Sequence, residues 1–188
     1  MEALILASGS PRRKELMGLL PWAFEIKTEE VEEVISKSLS PEENVMALAR
    51  QKAEAVSKEY PHQIVIGADT VVCLNGEIMG KPRDRQHARE MLAQLSGQTR
   101  QVYTGVAVLR AEDATLETFY IGTKVKMQVL SDEEIEAYLE TKEPFDKAGA
   151  YGIQGYGARY IEKIEGDYYS VMGLPVHALY ETLKHILK

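Results

Sequence analysis

Asp69, Thr70 and Lys81 stand in the run I-V-I-G-A-D-T-V-V-C-L-N-G-E-I-M-G-K-P at 64–82. Ile64-Val65-Ile66 reads as a strand buried on both faces. Asn75-Gly76, set between apolar residues, marks a two-residue hairpin turn, because both residues tolerate φ > 0. That turn pairs Leu74 with Glu77 and, by extension, Thr70 with Lys81. A carboxylate, a hydroxyl and an ammonium then meet at one end of a rigid hairpin. Lys81 falls on the face of Thr70 rather than Asp69, unless Gly80 forms a bulge. Such a corner suits ionic or acid–base chemistry; the plainer alternative is a surface salt bridge.

Three further groups carry the same tension between chemistry and plain structure. Ser8-Gly9-Ser10-Pro11 follows a short apolar strand at 3–7 and opens a helix, with Ser10 as cap and Pro11 at the first position. Arg12 and Arg13 sit in its first turn, where the helix dipole disfavours cations unless they face something negative. Free N–H groups, Ser8 and two guanidiniums make a phosphate cradle; otherwise both arginines extend into solvent. Glu29, Glu30, Glu32 and Glu33 form an acidic run that is either a solvated loop or a seat for a hard divalent cation. Lys52 falls in the apolar stripe of a helix, and either snorkels outward or reaches a partner anion. The histidines show no metal-ligand spacing and no nucleophile motif appears, which disfavours covalent catalysis.

The elements that must position these groups follow from periodicity and caps. Phe24-Glu25-Ile26 reads as a second strand. The first helix turns Leu16, Leu19 and Leu20 inward and stops at Pro21. Ser40-Pro41-Glu42-Glu43 is a capping box, opening a helix whose Val45, Leu48, Ala49, Ala53 and Val56 share a side. Asp84 caps another, with Ala88, Met91, Leu92 and Leu95 inward and Gly97 ending it. Residues 101–109 and 117–129 read as long strands, the second alternating through Phe119, Ile121, Val125, Met127 and Val129. Ser131 to Glu134 is a second capping box, before Ile135, Tyr138 and Leu139. G-A-Y-G-I-Q-G-Y-G at 149–157 is too glycine-dense for a helix or central strand, and suggests backbone lying close to a ligand or a sharp chain path. A hairpin through 161–164 and 168–171 leads to a last helix from Pro175, with Leu179, Leu183 and Ile186 inward.

At 188 residues the chain is the size of one domain, and 45% hydrophobic with 27% charged residues is ordinary for a soluble protein. No apolar run has membrane-spanning length, and Leu4-Ile5-Leu6-Ala7 is too short for a signal core. Cys73, the sole cysteine, excludes an internal disulfide, reads as a small buried apolar residue and fits a reducing cytoplasm. A net charge of −7 argues against general nucleic-acid binding.

A-S-G-S-P-R-R at 7–13, V-E-E at 31–33, L-A-R-Q-K-A at 48–53, I-G-A-D-T-V-V at 66–72, G-K-P at 80–82 and D-K-A-G-A-Y-G-I-Q-G at 146–155 together resemble the Maf family. These are nucleoside triphosphate pyrophosphatases, also labelled septum-formation inhibitors. The resemblance runs in the family's order over 1–188, as a single domain. It implies an elongated α/β fold with a central mixed sheet, flanking helices and a nucleotide cleft, related to the inosine triphosphate pyrophosphatases. The implied reaction splits a nucleoside triphosphate between the α- and β-phosphates, with Mg²⁺ or Mn²⁺.

By the same resemblance, Asp69 is the catalytic carboxylate, as proton acceptor or as orienter of water or metal. Glu33 is the acidic partner associated with metal and catalysis. Ser8, Arg12, Arg13, Lys52 and Lys81 line the triphosphate. Arg12, Thr70 and Gln154 match the branch that prefers dTTP and UTP; a sister branch preferring 7-methyl-GTP has an aromatic, a Gln and a Glu there. The competing reading is a nucleotide-binding regulator of septation with little turnover, whose hallmark would be loss of Asp69, Glu33 or a lysine; all are present. A homodimer is the expected assembly, since two-fold dimers are the commonest oligomers, with no nucleic-acid or membrane partner.

Overall fold

The computed structural model describes residues 4–188. The strand expected at 3–7 forms as β1 (Leu4–Leu6), and its first residue, Ala3, lies outside the described residues. With β2 (Phe24–Ile26), β3 (Val65–Leu74), β4 (Glu77–Met79), β5 (Thr99–Arg110), β6 (Thr115–Met127) and β7 (Ile161–Glu165) it builds one mixed sheet among the described residues. The order is β2-β1-β3-β5-β6-β7, with β4 paired to β3. β1 runs parallel to β2 and β3, while the β3–β4 and β6–β7 pairs are antiparallel. The α/β class read from the sequence therefore stands. No helix among the described residues is long and apolar enough to cross a membrane.

The chain divides into two compact units. One comprises Met1–Thr70, Tyr103–Ile121 and Tyr169–Lys188; the other comprises Val71–Val102 and Gly122–Tyr168.

In the first unit, α1 (Pro11–Met17) is capped by Ser10, whose hydroxyl accepts from the Arg13 amide, and α2 (Pro41–Ser57) opens on the expected capping box. Ser40 Oγ accepts from Glu43 N at 3.2 Å while Glu43 Oε2 accepts from Ser40 N at 2.8 Å. α2 packs its alanines on the strands: Ala49, Ala53 and Val56 join Ile5, Ala7, Val65, Ala107 and Leu109 in one buried cluster. Two glycines permit that closeness. A Cβ at Gly67 would strike the Ala49 carbonyl, and one at Gly105 the Val45 carbonyl.

Two expectations for this unit fail. Leu19 is 60% exposed, because α1 ends at Met17 and the chain turns at Gly18; Met17 is buried in its place. Residues 168–171 are not a strand but α5 (Tyr168–Met172). Gly173, at φ 123°, donates its amide to the Tyr169 and Ser170 carbonyls and terminates the turn. Gly173 followed by Pro175 was the sequence signal for a helix stop. α6 (Val176–Ile186) follows as expected, with Leu179 and Leu183 buried.

In the second unit the β3–β4 turn forms as read, with Asn75 at φ 52° and Gly76 at φ 86°, and Leu74 faces Glu77. The ladder stops at Val72↔Met79, so the expected pairing of Thr70 with Lys81 does not occur. The chain leaves the ladder at Gly80, whose carbonyl accepts from Gly149 N at 3.1 Å. α3 (Arg85–Leu95) and α4 (Asp132–Glu140) keep their predicted caps and inward faces, and Arg85 and Arg89 bridge them through Asp132, Glu136 and Glu140. Val129, expected to continue the inward alternation of β6, is 78% exposed, since the strand ends at Met127.

Candidate active site

In the first unit, β3 carries Asp69 and α2 carries Lys52 on facing surfaces. Lys52 Nζ lies 2.7 Å from Asp69 Oδ1 and 3.0 Å from Glu33 Oε1. The lysine in the apolar stripe thus reaches carboxylates rather than water, and its side chain is 14% exposed. Asp69 is 6% exposed. Its burial pushes the carboxyl above the ordinary aspartate range; Lys52 and then Arg13 pull it down without cancelling that rise. Glu33 comes from the acidic loop before α2, and the loop is held down where Gln51 Nε2 donates to the Glu32 carbonyl at 3.2 Å.

Arg13 is the second anchor. Its Nε donates to the Gly173 carbonyl at 2.8 Å, Nη1 to Ser8 Oγ at 3.3 Å and Nη2 to Thr70 Oγ1 at 3.1 Å. Burial lowers its pKa from the usual guanidinium value, while Asp69 pulls it up. Thr70 Oγ1 lies 2.8 Å from Thr104 Oγ1, which in turn donates to the Ser170 carbonyl at 2.6 Å. A carbonyl only accepts and a hydroxyl has one proton. The Thr104 proton is therefore spent on Ser170, Thr70 must donate to Thr104, and Thr70 offers Arg13 a lone pair. Every hydrogen in the relay has one direction. Ser8 Oγ accepts twice, from Arg13 and from the Ser10 amide at 3.3 Å, leaving its own proton to donate. Arg12 stands half-buried on α1.

The second unit holds the other two site residues of the sequence reading. Lys81 is exposed, just beyond Gly80. Gln154 is half-buried at the head of a 3-10 turn, Gly155–Tyr160. The glycine-dense segment around it closes on a protein carboxylate. Glu143 Oε2 accepts from Tyr156 N at 2.7 Å, and Oε1 from Gly157 N at 3.0 Å and from the Tyr138 hydroxyl at 2.8 Å. Tyr138 Oη also accepts from Gly152 N at 3.0 Å, and burial holds that phenol protonated far above its ordinary range. A Cβ at Gly155 would come within 2.6 Å of Glu143 Oε2, and one at Gly157 within 2.6 Å of Tyr138 Oη. Within this segment, Tyr151 packs against Arg100, whose guanidinium carbon lies 3.6 Å from the ring centroid.

Sequence reasoning missed Thr104, Gln51, Glu143 and Tyr138. Thr104 left one trace, as a hydroxyl inside the otherwise apolar buried stretch of β5. Glu143, which neighbours Pro144, left none.

This is an α/β protein whose first unit holds a buried carboxylate, a lysine bridging it to a second carboxylate, and an arginine locked by three hydrogen bonds. The family described as Maf-like protein matches residues 3–186, and the chain belongs to it. The chain is 53% identical over 184 residues to a protein of Bacillus cytotoxicus named dTTP/UTP pyrophosphatase, covering 98% of this chain and 95% of that one. It is 54% identical over 181 residues to the Bacillus velezensis protein of the same name, covering 96% and 95%. Among solved structures, the Ham1 protein of Staphylococcus aureus matches with a TM-score of 0.49 and 17% identity, over 85% of this chain and 80% of that one.

Proposed function

We propose that this chain hydrolyses UTP and dTTP to the nucleoside monophosphate and pyrophosphate. The observation that carries the reading is Asp69, a buried carboxylate raised above its ordinary pKa, held by a lysine it shares with Glu33. The names of the relatives that match almost the whole chain support it.

Water attacks the α-phosphorus, the bond from that phosphorus to the α–β bridging oxygen breaks, and pyrophosphate leaves with accumulating charge. An ordinary aspartate near pKa ~4 is a weak base for this step at neutral pH. Burial makes Asp69 the stronger base, and its Lys52 contact fixes which oxygen stays free. Arg13 presents a rigid guanidinium to the triphosphate, Ser8 donates its spare proton to a phosphate oxygen, and Arg12 adds charge at the same helix. Thr70 acts through Arg13, because its only proton is committed to Thr104. Lys81 and Gln154 take their roles, charge neutralisation and base reading, from the family resemblance. Asp69 and Glu33, which share the Lys52 ammonium, are the hard carboxylates that would hold Mg²⁺ or Mn²⁺ alongside phosphate oxygens and water. A cation held there would supply charge neutralisation and Lewis acidity.

Purified protein, given UTP, dTTP, CTP, ATP and 7-methyl-GTP with Mg²⁺ or Mn²⁺, is scored for pyrophosphate release. UTP and dTTP should lead in kcat/KM. A lead for CTP or 7-methyl-GTP overturns the substrate assignment, and tight nucleotide binding without pyrophosphate would make the chain a nucleotide-binding regulator.

A further inference from the structure

We propose that Glu143 is a positioning residue for pyrimidine selection: by clamping the backbone on both sides of Gln154, it holds the side chain that reads the base. The inference rests on the reading above that Gln154 reads the base. It starts from the glycine pattern, which the reaction itself does not explain. Gly152, Gly155 and Gly157 each lie where a Cβ would meet the Glu143 carboxylate, the Tyr138 hydroxyl or the Lys147 side chain. At Gly155 the nearest atom to such a Cβ is Glu143 Oε2, whereas at Gly157 it is the Gly152 carbonyl oxygen and at Gly152 the Lys147 side chain, with the Glu143 carboxylate also in reach at both.

The approach is then used in full. On the C-terminal side of Gln154, both carboxylate oxygens take backbone N–H groups, from Tyr156 and Gly157. On the N-terminal side, Gly152 N is held by Tyr138 Oη, whose proton goes to Glu143 Oε1. One carboxylate thus organises the backbone from 152 to 157, directly or through one phenol. Tyr151, stacked under Arg100, steadies the residue that enters the segment. An amide side chain offers a donor and an acceptor to the alternating O2, N3–H and O4 of uracil. That discrimination needs the amide held in position, because a mobile amide satisfies cytosine as readily.

Four proteins test the proposal: wild type, Glu143→Gln, Tyr138→Phe and Gln154→Ala, with kcat/KM for UTP and CTP, melting curves, and amide hydrogen exchange over 152–157. Glu143→Gln keeps the side-chain length and removes the charge, so one of the two N–H groups loses its acceptor. Exchange at Tyr156 or Gly157 should quicken roughly tenfold or more, and the UTP-to-CTP ratio should fall roughly fivefold or more. Tyr138→Phe should release Gly152 and lower the ratio less. If Glu143→Gln lowers UTP and CTP by one common factor, or leaves both ratio and exchange unchanged, Glu143 only supports the fold and the proposal is wrong. Base reading by Gln154 then still stands, provided Gln154→Ala lowers the ratio. If Gln154→Ala leaves the ratio untouched, both the base reading and the role given to Glu143 fall.

Discussion

Asp69 in the first unit and Glu143 in the second are both carboxylates at the centre of a hydrogen-bonded knot, and they are used in opposite ways. Asp69 meets side-chain cations, Lys52 directly and Arg13 through charge, and is buried beyond what those partners compensate. Glu143 meets backbone N–H groups and a phenol, which match its lone pairs with neutral donors. The first arrangement keeps a buried carboxylate under electrostatic tension; the second uses the same chemical group as a staple. Changing the first should therefore alter rate and pH dependence, and changing what the second holds should alter the ranking of substrates.

The largest expected effect is from Asp69→Asn. The amide cannot take a proton, so pyrophosphate release should fall ~100-fold or more. The fold should not suffer. Because burial raises the folded-state pKa of Asp69, its contribution to stability is fully present below the ordinary carboxylate pKa and is lost as pH rises through the raised value. At neutral pH the variant should melt at or above the wild-type temperature. Turnover within about threefold of wild type, from a protein that melts normally, would break the comparison at its root, since one lost acid–base group ordinarily costs far more.

Lys52→Ala comes next. It removes the largest interaction holding the Asp69 pKa down, so the acid limb of the kcat/KM–pH profile should move to higher pH, with kcat/KM at neutral pH down about tenfold or more. It also strands a buried carboxylate. The melting temperature should drop at neutral pH, and the gap to wild type should close as acid protonates Asp69. An acid limb that stays in place would show that Lys52 does not act on Asp69.

Gln154→Glu should act on selectivity. With Gln154 in the base-reading role proposed above, losing the amide donor and gaining charge should lower kcat/KM for UTP by about 5- to 150-fold, with less change for the other nucleotides; an unchanged ranking breaks the contrast from its other side. The smallest effect is expected from Thr104→Val, which frees Thr70 and, through it, one hydrogen bond of Arg13. KM should rise about 2- to 10-fold with kcat little changed, and Thr104→Ser should restore it. A double-mutant cycle with Arg13→Lys should be non-additive.

The two regions also differ in how far the sequence disclosed them. Charged residue types at telling positions announced the first: Lys52 inside an apolar stripe, Arg12 and Arg13 after a serine cap, Asp69 at the end of a β-branched run. Those are violations of local rules, and violations can be seen. Thr104 and the Gly173 carbonyl escaped because a relay through hydroxyls and backbone depends on long-range register, which no local pattern encodes. In the second region the glycines were visible but their cause was not. Dense glycine says that something comes close; only the packing says that it is Glu143 at Gly155, the Lys147 side chain at Gly152 and the Gly152 carbonyl at Gly157. The strand expected at 168–171 failed for a related reason. Tyr168, Tyr169 and Val171 have strand-like propensities, and the stop signals at Gly173 and Pro175 outweighed them.

Gly67 and Gly105 seat α2 directly on the strands, with no side chain as spacer. Lys52 lies between Ala49 and Ala53, the two residues whose backbone a methyl at position 67 would press. Any thickness added there becomes displacement of the ammonium from a 2.7 Å contact. The tolerance of the Lys52–Asp69 contact is thus set by hydrogens on glycine α-carbons, as a shim sets the gap in a machine. A random library screened for loss of turnover should be as intolerant at 67 and 105 as at the charged positions, and an engineer adjusting Lys52 would do better to vary those two floors than the lysine itself.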